Sequence, residues 1–421
     1  MSSGAERIPV LDDDTTPPGV CGVADLTGFA YQGHDHDRLI DRVERRHQGH
    51  ENKAARLYDL AIAAQLAFNR AEGLKLQAAA LDLCAVYRVQ GSRSRHPLRL
   101  LALAAPGDLM VNAPLDFITN EIDVRLDLLY LLPDRPLPGI IPDHDVAFFA
   151  VSEAGPALFA RLRHLFEAWP RPVLNDPRFL PVLARDTLAA STAGIPGLCS
   201  PPAMAATRAT LEARQKGAPR QAFQPCLIRP AGSHAGASLA LAATPDALAE
   251  YLRLSPARDF VVTEFEDYSG ADGQYRKSRV AFIDRQPFLC HMAISSHWMV
   301  HYLNAGMTES AEKRAEEARA MAEFDQGFAR RHAAAFDALH QRLGFDYYSI
   351  DCAETRDGRL LVFEADVAAI VHLMDPPDLF PYKQPQMHRV FAAFDAMLRR
   401  RALSPPAGRS TRDLALASLP H

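Results

Sequence analysis

Apolar residues in the first quarter of the chain recur at helical spacing. Segments 52–69 and 74–87 each place leucine and alanine on one face, and Gly73 separates them. Spacings of three and four residues are typical of an amphipathic helix. The pattern therefore predicts two helices joined by a short turn. A single pair cannot bury its own apolar face, so we expect it to pack on the next domain of the chain or on another subunit.

The period changes near residue 98. Short apolar runs bounded by Pro, Gly and Asp follow one another, with a helical pattern after them, at 98–104, 124–132, 146–151 and 156–168. Short apolar runs that alternate with helical segments are typical of a buried α/β sheet. The sequence predicts such a sheet over about 96–176, ending in a proline-marked link at 170–176.

The second half of the chain alternates strand and helix patterns, which predicts an α+β region. Strands are expected at 225–229, 260–265, 277–284, 286–294, 347–354 and 359–366. Helices are expected at 178–194, 245–254, 309–343 (with a break at Gly327) and 386–401. The predicted organisation is a weakly ordered lead-in, a helical segment, an α/β domain, the α+β domain and a flexible tail, at 1–36, 37–95, 96–176, 177–403 and 404–421.

Composition narrows the class of protein. A chain of 421 residues predicts two or three domains, and a net charge of -5 argues against nucleic acid or an anionic membrane as the main partner. No apolar run reaches the roughly 18 residues of a membrane span, and the first residues do not resemble a signal peptide. The six cysteines show no C-x-x-C pair, which favours free buried thiols. We therefore expect a cytoplasmic protein.

Two late strands bring three carboxylates together. Glu364 and Asp366 lie two apart on one strand, so they face the same side, and Asp351 lies on the strand before the Asp357-Gly358 turn. Converging carboxylates repel one another unless a cation neutralises them, and oxygen-only sites suit Mg²⁺ or Mn²⁺. The alternative is an exposed hairpin with acidic residues on its wet face.

Two other segments indicate nucleotide contacts. A strand ending at Arg229 leads into a loop of small residues, whose backbone N–H groups suit phosphate oxygens; the loop residues concerned are Gly232, Ser233, His234 and Gly236. It is not a Walker A loop, and an ordinary surface loop is the alternative. A later apolar strand ends in four residues that suit an adenosine pocket, Glu264, Phe265, Glu266 and Asp267.

Segment 291–307 is dense in histidine and aromatic residues. On a helix, His297 and His301 would share a face, but no cysteine or Glu-x-x-His pattern supports zinc. One interpretation is a half-buried structural segment. The other is a substrate pocket in which His297, His301 and Asn304 orient an acceptor, or one histidine deprotonates an amine.

In this order and spacing, the motifs resemble the ATP-grasp superfamily, in particular the RimK-like carboxylate–amine ligases. The resemblance covers about residues 98–401. It implies a pre-ATP-grasp α/β domain followed by two α+β subdomains that hold ATP and two cations between them, here preceded by a helical, tetratricopeptide-like segment.

The resemblance also implies roles for single residues. Asp351 and Glu364 match metal ligands, Asp366 stands where asparagine is usual, and Arg279 matches an arginine that faces the transferred phosphate. Nucleotide contacts are implied for Arg185, Arg229, Glu264, Phe265, Glu266 and Asp267. Two lysines usual in the family are arginines here, which still bind phosphate.

The function implied is an ADP-forming ligase that joins a carboxylate to an amine through an acyl phosphate, on small-molecule or peptide substrates. We weigh against it an ATP-dependent phosphotransferase and a non-catalytic protein that binds a nucleotide or a partner. A homodimer remains open, as does recognition of a peptide by the helical segment.

Overall fold

The computed structural model describes residues 6–49, 52–91, 96–217, 223–231 and 238–406. The chain begins with two short strands and four helices: β1 (Val10–Asp12), β2 (Gly19–Val20), α1 (Val23–Tyr31), α2 (His36–His47), α3 (Lys53–Leu66) and α4 (Arg70–Leu83). The predicted helical pair corresponds to α3 and α4, but the break lies at 67–69 and not at Gly73, which is a buried residue within α4. Residues 86 and 87, predicted as helix, belong to the strand that follows. Asn52 and Asn69 cap these two helices by accepting the N–H groups of Ala55 and Glu72.

The α/β domain comes after the helices, with β3 (Val86–Val89), β4 (Leu98–Ala104), α5 (Asp116–Thr119), β5 (Val124–Tyr130), β6 (Ile140–Pro142), β7 (Val146–Phe149), α6 (Pro156–Ala168) and β8 (Val173–Leu174). Its six-stranded sheet has the order β2-β3-β5-β4-β7-β8, and every pairing except β3 with β5 is parallel. The helical pair packs on this sheet, where the Tyr58 hydroxyl of α3 meets that of Tyr130 at 2.8 Å.

Residues 6–36 differ from the weakly ordered lead-in that we expected. They contain β1, β2 and α1, and buried acids from later elements hold the start of α1. Asp59 accepts the N–H groups of Cys21 at 2.9 Å and Gly22 at 3.3 Å, and Asp116 accepts that of Ala24 at 2.7 Å. These acceptors lie far along the chain, so local composition does not reveal them.

A four-stranded antiparallel sheet comes next. Its region comprises a 3₁₀ helix (Pro177–Leu183), α7 (Arg185–Thr192), β9 (Leu198–Cys199), β10 (Ala203–Thr207), α8 (Arg208–Gly217), β11 (Cys226–Pro230), β12 (Ala240–Ala242), α9 (Pro245–Leu254) and β13 (Asp259–Glu264), and the sheet order is β10-β13-β11-β12. We predicted one helix over 178–194. The structure has two, because Pro181 has no N–H to donate to an α-helical ladder.

The last region contains β14 (Tyr275–Ile283), β15 (Gln286–Ser295), a 3₁₀ turn (Tyr302–Asn304), α10 (Ala311–Ala322), α11 (Phe328–Arg331), α12 (Ala333–Leu343), β16 (Tyr347–Glu354), β17 (Leu360–Asp366) and α13 (Lys383–Ala402). Its sheet has the order β15-β14-β16-β17-β9, with only the β17–β9 pairing parallel. The predicted break at Gly327 separates α10 from α11, and Asp284 and Arg285 form the predicted turn with positive φ angles of 47° and 71°.

Helix α13 joins this last region to the α/β domain. Its Phe394 lies 6.2 Å from Phe148 of β7 and 5.3 Å from Tyr347 of β16, ring centroid to ring centroid. The predicted fold class is confirmed at the level of sheet order: an α/β sheet, a four-stranded α+β unit and a five-stranded α+β unit, after an N-terminal helical segment. None of the helices within the described ranges is long and apolar enough to cross a membrane.

Candidate functional site

One row of polar side chains crosses the five-stranded sheet. The strand register pairs His291 of β15 with Arg279 of β14, Arg279 with Asp351 of β16, and Asp351 with Glu364 of β17. Residues that lie directly opposite one another on neighbouring strands point to the same face. The sheet therefore presents an imidazole, a guanidinium and two carboxylates in sequence across one face, which we call the polar row.

A β-bulge lies within the polar row. Asp351 pairs with Glu364 while its neighbour Cys352 pairs with Val362, so Phe363 is the extra residue of β17. A bulge re-aims the side chains beside it, and bulges are frequent next to functional sites. Here the Phe363 ring lies under the ammonium group of Lys277, with 5.8 Å between Nζ and the ring centroid.

Asp351 is buried and bonded to two cations. The Arg279 Nε donates to Asp351 Oδ1 at 2.8 Å and Nη2 donates to Oδ2 at 3.2 Å, while Lys277 Nζ lies 2.8 Å from Oδ2. Burial by itself would raise the pKa of Asp351, but the charges of Arg279 and Lys277 hold that pKa well below its usual range. The side chain is thus an ionised anchor for two largely buried cations on this face of the sheet.

Two further carboxylates, Glu364 and Asp366, lie at the end of β17. Asp366 Oδ1 accepts the N–H of Ala368 at 2.8 Å. Burial raises the pKa of Asp366 to about 6, and the charge of Glu364 raises it in the same direction, whereas the hydrogen bond from Ala368 lowers it. Within the described ranges, no three Asp, Glu, His or Cys side chains come close enough together to hold a metal ion. At this site, Asp351 is bonded to Lys277 and Arg279 instead.

The predicted adenosine residues form the link between the four-stranded and five-stranded sheets. Glu264 ends β13 and is exposed, and the Phe265 N–H donates to the Pro225 carbonyl at 3.1 Å. Glu266 pairs with Arg359 at 3.1 Å, and Asp267 pairs with Arg356 at 3.0 Å. Both arginines belong to the turn region between β16 and β17. This hinge is therefore attached directly to the strands that carry Asp351 and Glu364.

The histidine-rich segment lies beside that hinge. Strand β15 ends at Ser295, and a bend comes directly after it, so the helix that would align His297 with His301 does not form. The Trp298 ring lies 6.0 Å from the Phe265 ring, edge to face, and the Tyr268 hydroxyl donates to the Trp298 carbonyl. The segment thus borders the region between the two sheets.

The individual acceptor residues occupy different positions. His297 is exposed, and its Nδ1 accepts the Met299 N–H at 3.2 Å. His301 precedes the 3₁₀ turn, and its carbonyl accepts the N–H of the exposed Asn304 at 3.2 Å. No contact within the described ranges brings these three side chains together, and their roles stay predictions.

The remaining predicted nucleotide residues are only partly described. Arg229 lies on β11 opposite Val261 of β13, and Arg185 is the first residue of α7. The side chain of Arg185 lies outside the described part of the structure. So do the four loop residues predicted to contact phosphate, Gly232, Ser233, His234 and Gly236.

Three residues near the polar row are not predicted from the sequence. Lys277 lies two positions before Arg279 on β14, and this spacing was a signal that both cations face one side. His291 and His372 were not singled out. Burial lowers the pKa of His291 well below its usual value and that of His372 to about 4, so both are neutral imidazoles near Arg279.

No protein-family model and no curated protein sequence matches the chain. Among solved structures, it is similar to a RimK-domain ATP-grasp protein from Sphaerobacter thermophilus, with 17% identity, a TM-score of 0.39, and 71% of this chain and 99% of that chain covered. D-alanyl-alanine synthetase A from Vibrio cholerae is 10% identical, with a TM-score of 0.45 over 74% and 100%. ATP-grasp ligase PsnB, in complex with precursor peptide PsnA2 and AMPPNP, is 14% identical, with a TM-score of 0.40 over 73% and 100%.

Proposed function

We propose that this chain is an ATP-dependent carboxylate–amine ligase of the ATP-grasp type, forming ADP through an acyl phosphate. The observation that carries the proposal is the polar row with Lys277. Two cations, anchored by one buried carboxylate, share a sheet face with two further carboxylates, directly beside the hinge to a second sheet. An anionic phosphoryl group and a divalent cation are the partners that complement this charge pattern.

The hinge supports a nucleotide site. The Phe265–Trp298 pair supplies apolar aromatic surface against which an adenine ring could pack. Glu266 and Asp267 are paired with arginines, so a ribose contact would have to share one of these carboxylates. Arg229, Arg185 and the loop of small residues remain our predicted phosphate contacts.

The carboxylates at the end of β17 offer the kind of ligand atom that a hard divalent cation prefers. Glu364 and Asp366 are two apart on one strand and offer only oxygen ligands, so they would hold Mg²⁺ or Mn²⁺. Asp351 is committed to its two cations in this structure and stays a predicted ligand. A bound Mg²⁺ would supply neutralisation of phosphate charge.

The chemistry is set by these groups. A substrate carboxylate oxygen attacks the γ-phosphorus of ATP, the bond to the bridging oxygen breaks, and ADP leaves. Lys277 and Arg279 neutralise the charge that develops on the transferred group. An amine then attacks the acyl carbon, phosphate leaves, and the amine gives up a proton. We propose that His297, His301 and Asn304 line the pocket where that amine binds.

The reaction class is tested by ADP release. Purified protein is incubated with Mg·ATP and a panel of amino acids and small carboxylic acids, singly and in pairs with amines. The proposal predicts ADP formation that requires both a carboxylate and an amine, and that Glu364→Gln abolishes. Glu250→Gln is the matched control, because Glu250 is an exposed carboxylate on α9 that pairs only with Arg253 in the described structure.

Two other outcomes correspond to the alternative functions. ADP formation with one substrate and no amine requirement would indicate a phosphotransferase. Failure to bind Mg·ATP in calorimetry would indicate a non-catalytic protein. Either result would overturn the ligase proposal.

A further inference from the structure

A buried lysine lies close to the polar row, separated from His291 by the Tyr302 ring. Lys383, the first residue of α13, is 2% exposed. Its Nζ bonds to the Tyr302 hydroxyl, lies 2.9 Å from Asp375 Oδ2 and 3.6 Å from Glu317 Oε1, and sits 4.1 Å from the Tyr302 ring centroid. A buried ammonium is costly unless its donors are satisfied, and here three oxygen atoms surround it.

Its partner Glu317, on α10, is fully buried. Glu317 Oε1 accepts the Met292 N–H at 2.9 Å, and Oε2 accepts the hydroxyls of Tyr302 at 3.0 Å and Tyr382 at 2.6 Å. One cation and two carboxylates are therefore joined by hydroxyl and amide donors into one network. Networks of this kind are weak sources of net stability, so a positional role is the better account of why the fold contains one.

The network is connected to the candidate site at two points. The Tyr302 ring lies 4.7 Å from His291, which is paired in register with Arg279. Tyr302 also belongs to the segment that contains His297, His301 and Asn304. On the other side, Asp375 lies in the connection between β17 and α13, and the Ile370 carbonyl of that connection accepts from Arg279 Nη1 at 3.2 Å.

The same connection reaches the N-terminal helices. The Tyr31 hydroxyl of α1 donates to Asp375 Oδ1 at 3.3 Å, and the Tyr31 ring lies 6.3 Å from His372. Helix α1 is itself held at its start by Asp59 and Asp116. The N-terminal segment therefore contacts the wall of the site and is not a separate appendage.

We infer that Lys383 is a positioning residue for the part of the site in which the amine is proposed to bind. By holding Tyr302 and Asp375 together, it fixes segment 297–304 and connection 367–375 on either side of Arg279. The kinetic part of this inference rests on the proposed ligase function. The geometric part does not, because it concerns only how the two segments are held.

The kinetic test uses Tyr302→Phe, which deletes one hydroxyl and keeps the ring against His291. We expect the amine KM to rise at least about tenfold while the ATP KM changes less than about twofold. Tyr58→Phe is the matched control, because it deletes a buried hydroxyl that bonds to Tyr130 in the α/β domain. Equal increases in both KM values, or no change in either, would contradict the inference.

A second readout needs no activity. Hydrogen–deuterium exchange is compared for wild-type protein, Tyr302→Phe and Lys383→Met. We expect exchange in 297–305 and 367–376 to accelerate by about tenfold or more in both variants, with strand 98–104 unchanged. If the wild type shows no amine-dependent turnover, the proposed function fails. The exchange measurement still tests whether Lys383 and Tyr302 hold the two segments in place. Unchanged exchange in both segments would overturn it, and Tyr302→Phe supplies the result if Lys383→Met does not fold.

Discussion

Asp351 provides the sharpest energetic prediction. Replacing it with asparagine leaves Arg279 and Lys277 without their shared carboxylate, and these side chains are only 21% and 22% exposed. Removing one partner of a buried ion pair lowers the unfolding free energy by about 3–5 kcal/mol. Because about a fifth of each cation still reaches water, we expect Asp351→Asn to cost about 3 kcal/mol, at the low end of that range.

Lys277→Met should cost less, about 1 kcal/mol, because Arg279 continues to bond to Asp351 through two N–H groups. When Asp351 is already asparagine, the loss of Lys277 removes an unpaired cation instead of a paired one. The double variant should therefore cost less than the sum of the single variants, by at least about 1 kcal/mol.

The assay is urea-induced unfolding of the wild type, both single variants and the double variant. Circular dichroism and tryptophan fluorescence are recorded together, and only coincident transitions are compared. Arg389 and Asp325, an ion pair half exposed on both sides, supply a matched cycle that should couple by less than about 1 kcal/mol. Additive costs for Lys277 and Asp351, within about 0.4 kcal/mol, would refute the view that Asp351 anchors two cations.

Three further predictions concern regions outside the site. His144 accepts the Trp169 indole N–H at 2.9 Å, and burial lowers its pKa to about 4. The imidazole of the unfolded chain binds a proton more readily than the buried imidazole does. The unfolding free energy is therefore highest above about pH 6.5 and falls by about 3 kcal/mol as the pH drops towards 4. In urea titrations at several pH values, His144→Gln should flatten this dependence of the unfolding free energy on pH. Gly344 ends α12 at a φ of 66°, and a Cβ there would stand 2.4 Å from Phe179, so Gly344→Ala should lower the unfolding free energy by at least about 2 kcal/mol; an unchanged melting temperature would contradict this. Phe68 is 97% exposed with a φ of 61°, so Phe68→Asn should stabilise the protein by about 0.5–1 kcal/mol in thermal unfolding, and a loss of stability would show that the ring has a structural role.

Much of the fold could be predicted from local pattern. The carboxylate hairpin is an example, because apolar runs flank an Asp357-Gly358 turn and Gly358 takes the required positive φ of 82°. The two-residue spacing of Glu364 and Asp366 predicts a shared face on any strand. Patterns of this kind depend only on residues that are close together in the sequence. They can therefore be recognised without knowledge of the tertiary structure.

Other features depend on contacts between distant residues. Lys277 and Asp351 are far apart along the chain, and only the register of β14 with β16 brings them together. The spacing of His297 and His301 has meaning on a helix, but the pairing of β15 with β14 extends to Ser295 and a bend comes directly after it. Lys383 is surrounded by polar groups from the 3₁₀ turn, α10 and the connection after β17. No periodicity in the sequence indicates that these segments meet.

We propose that the protein activates a carboxylate as an acyl phosphate and then joins it to an amine. The most direct test is oxygen transfer, using the substrate pair found by ADP release and the carboxylate labelled with ¹⁸O. We expect the released phosphate to carry one labelled oxygen and the amide product to retain the other, as read by mass spectrometry. Unlabelled phosphate, with both labelled oxygens left on the carboxylate substrate, would contradict it.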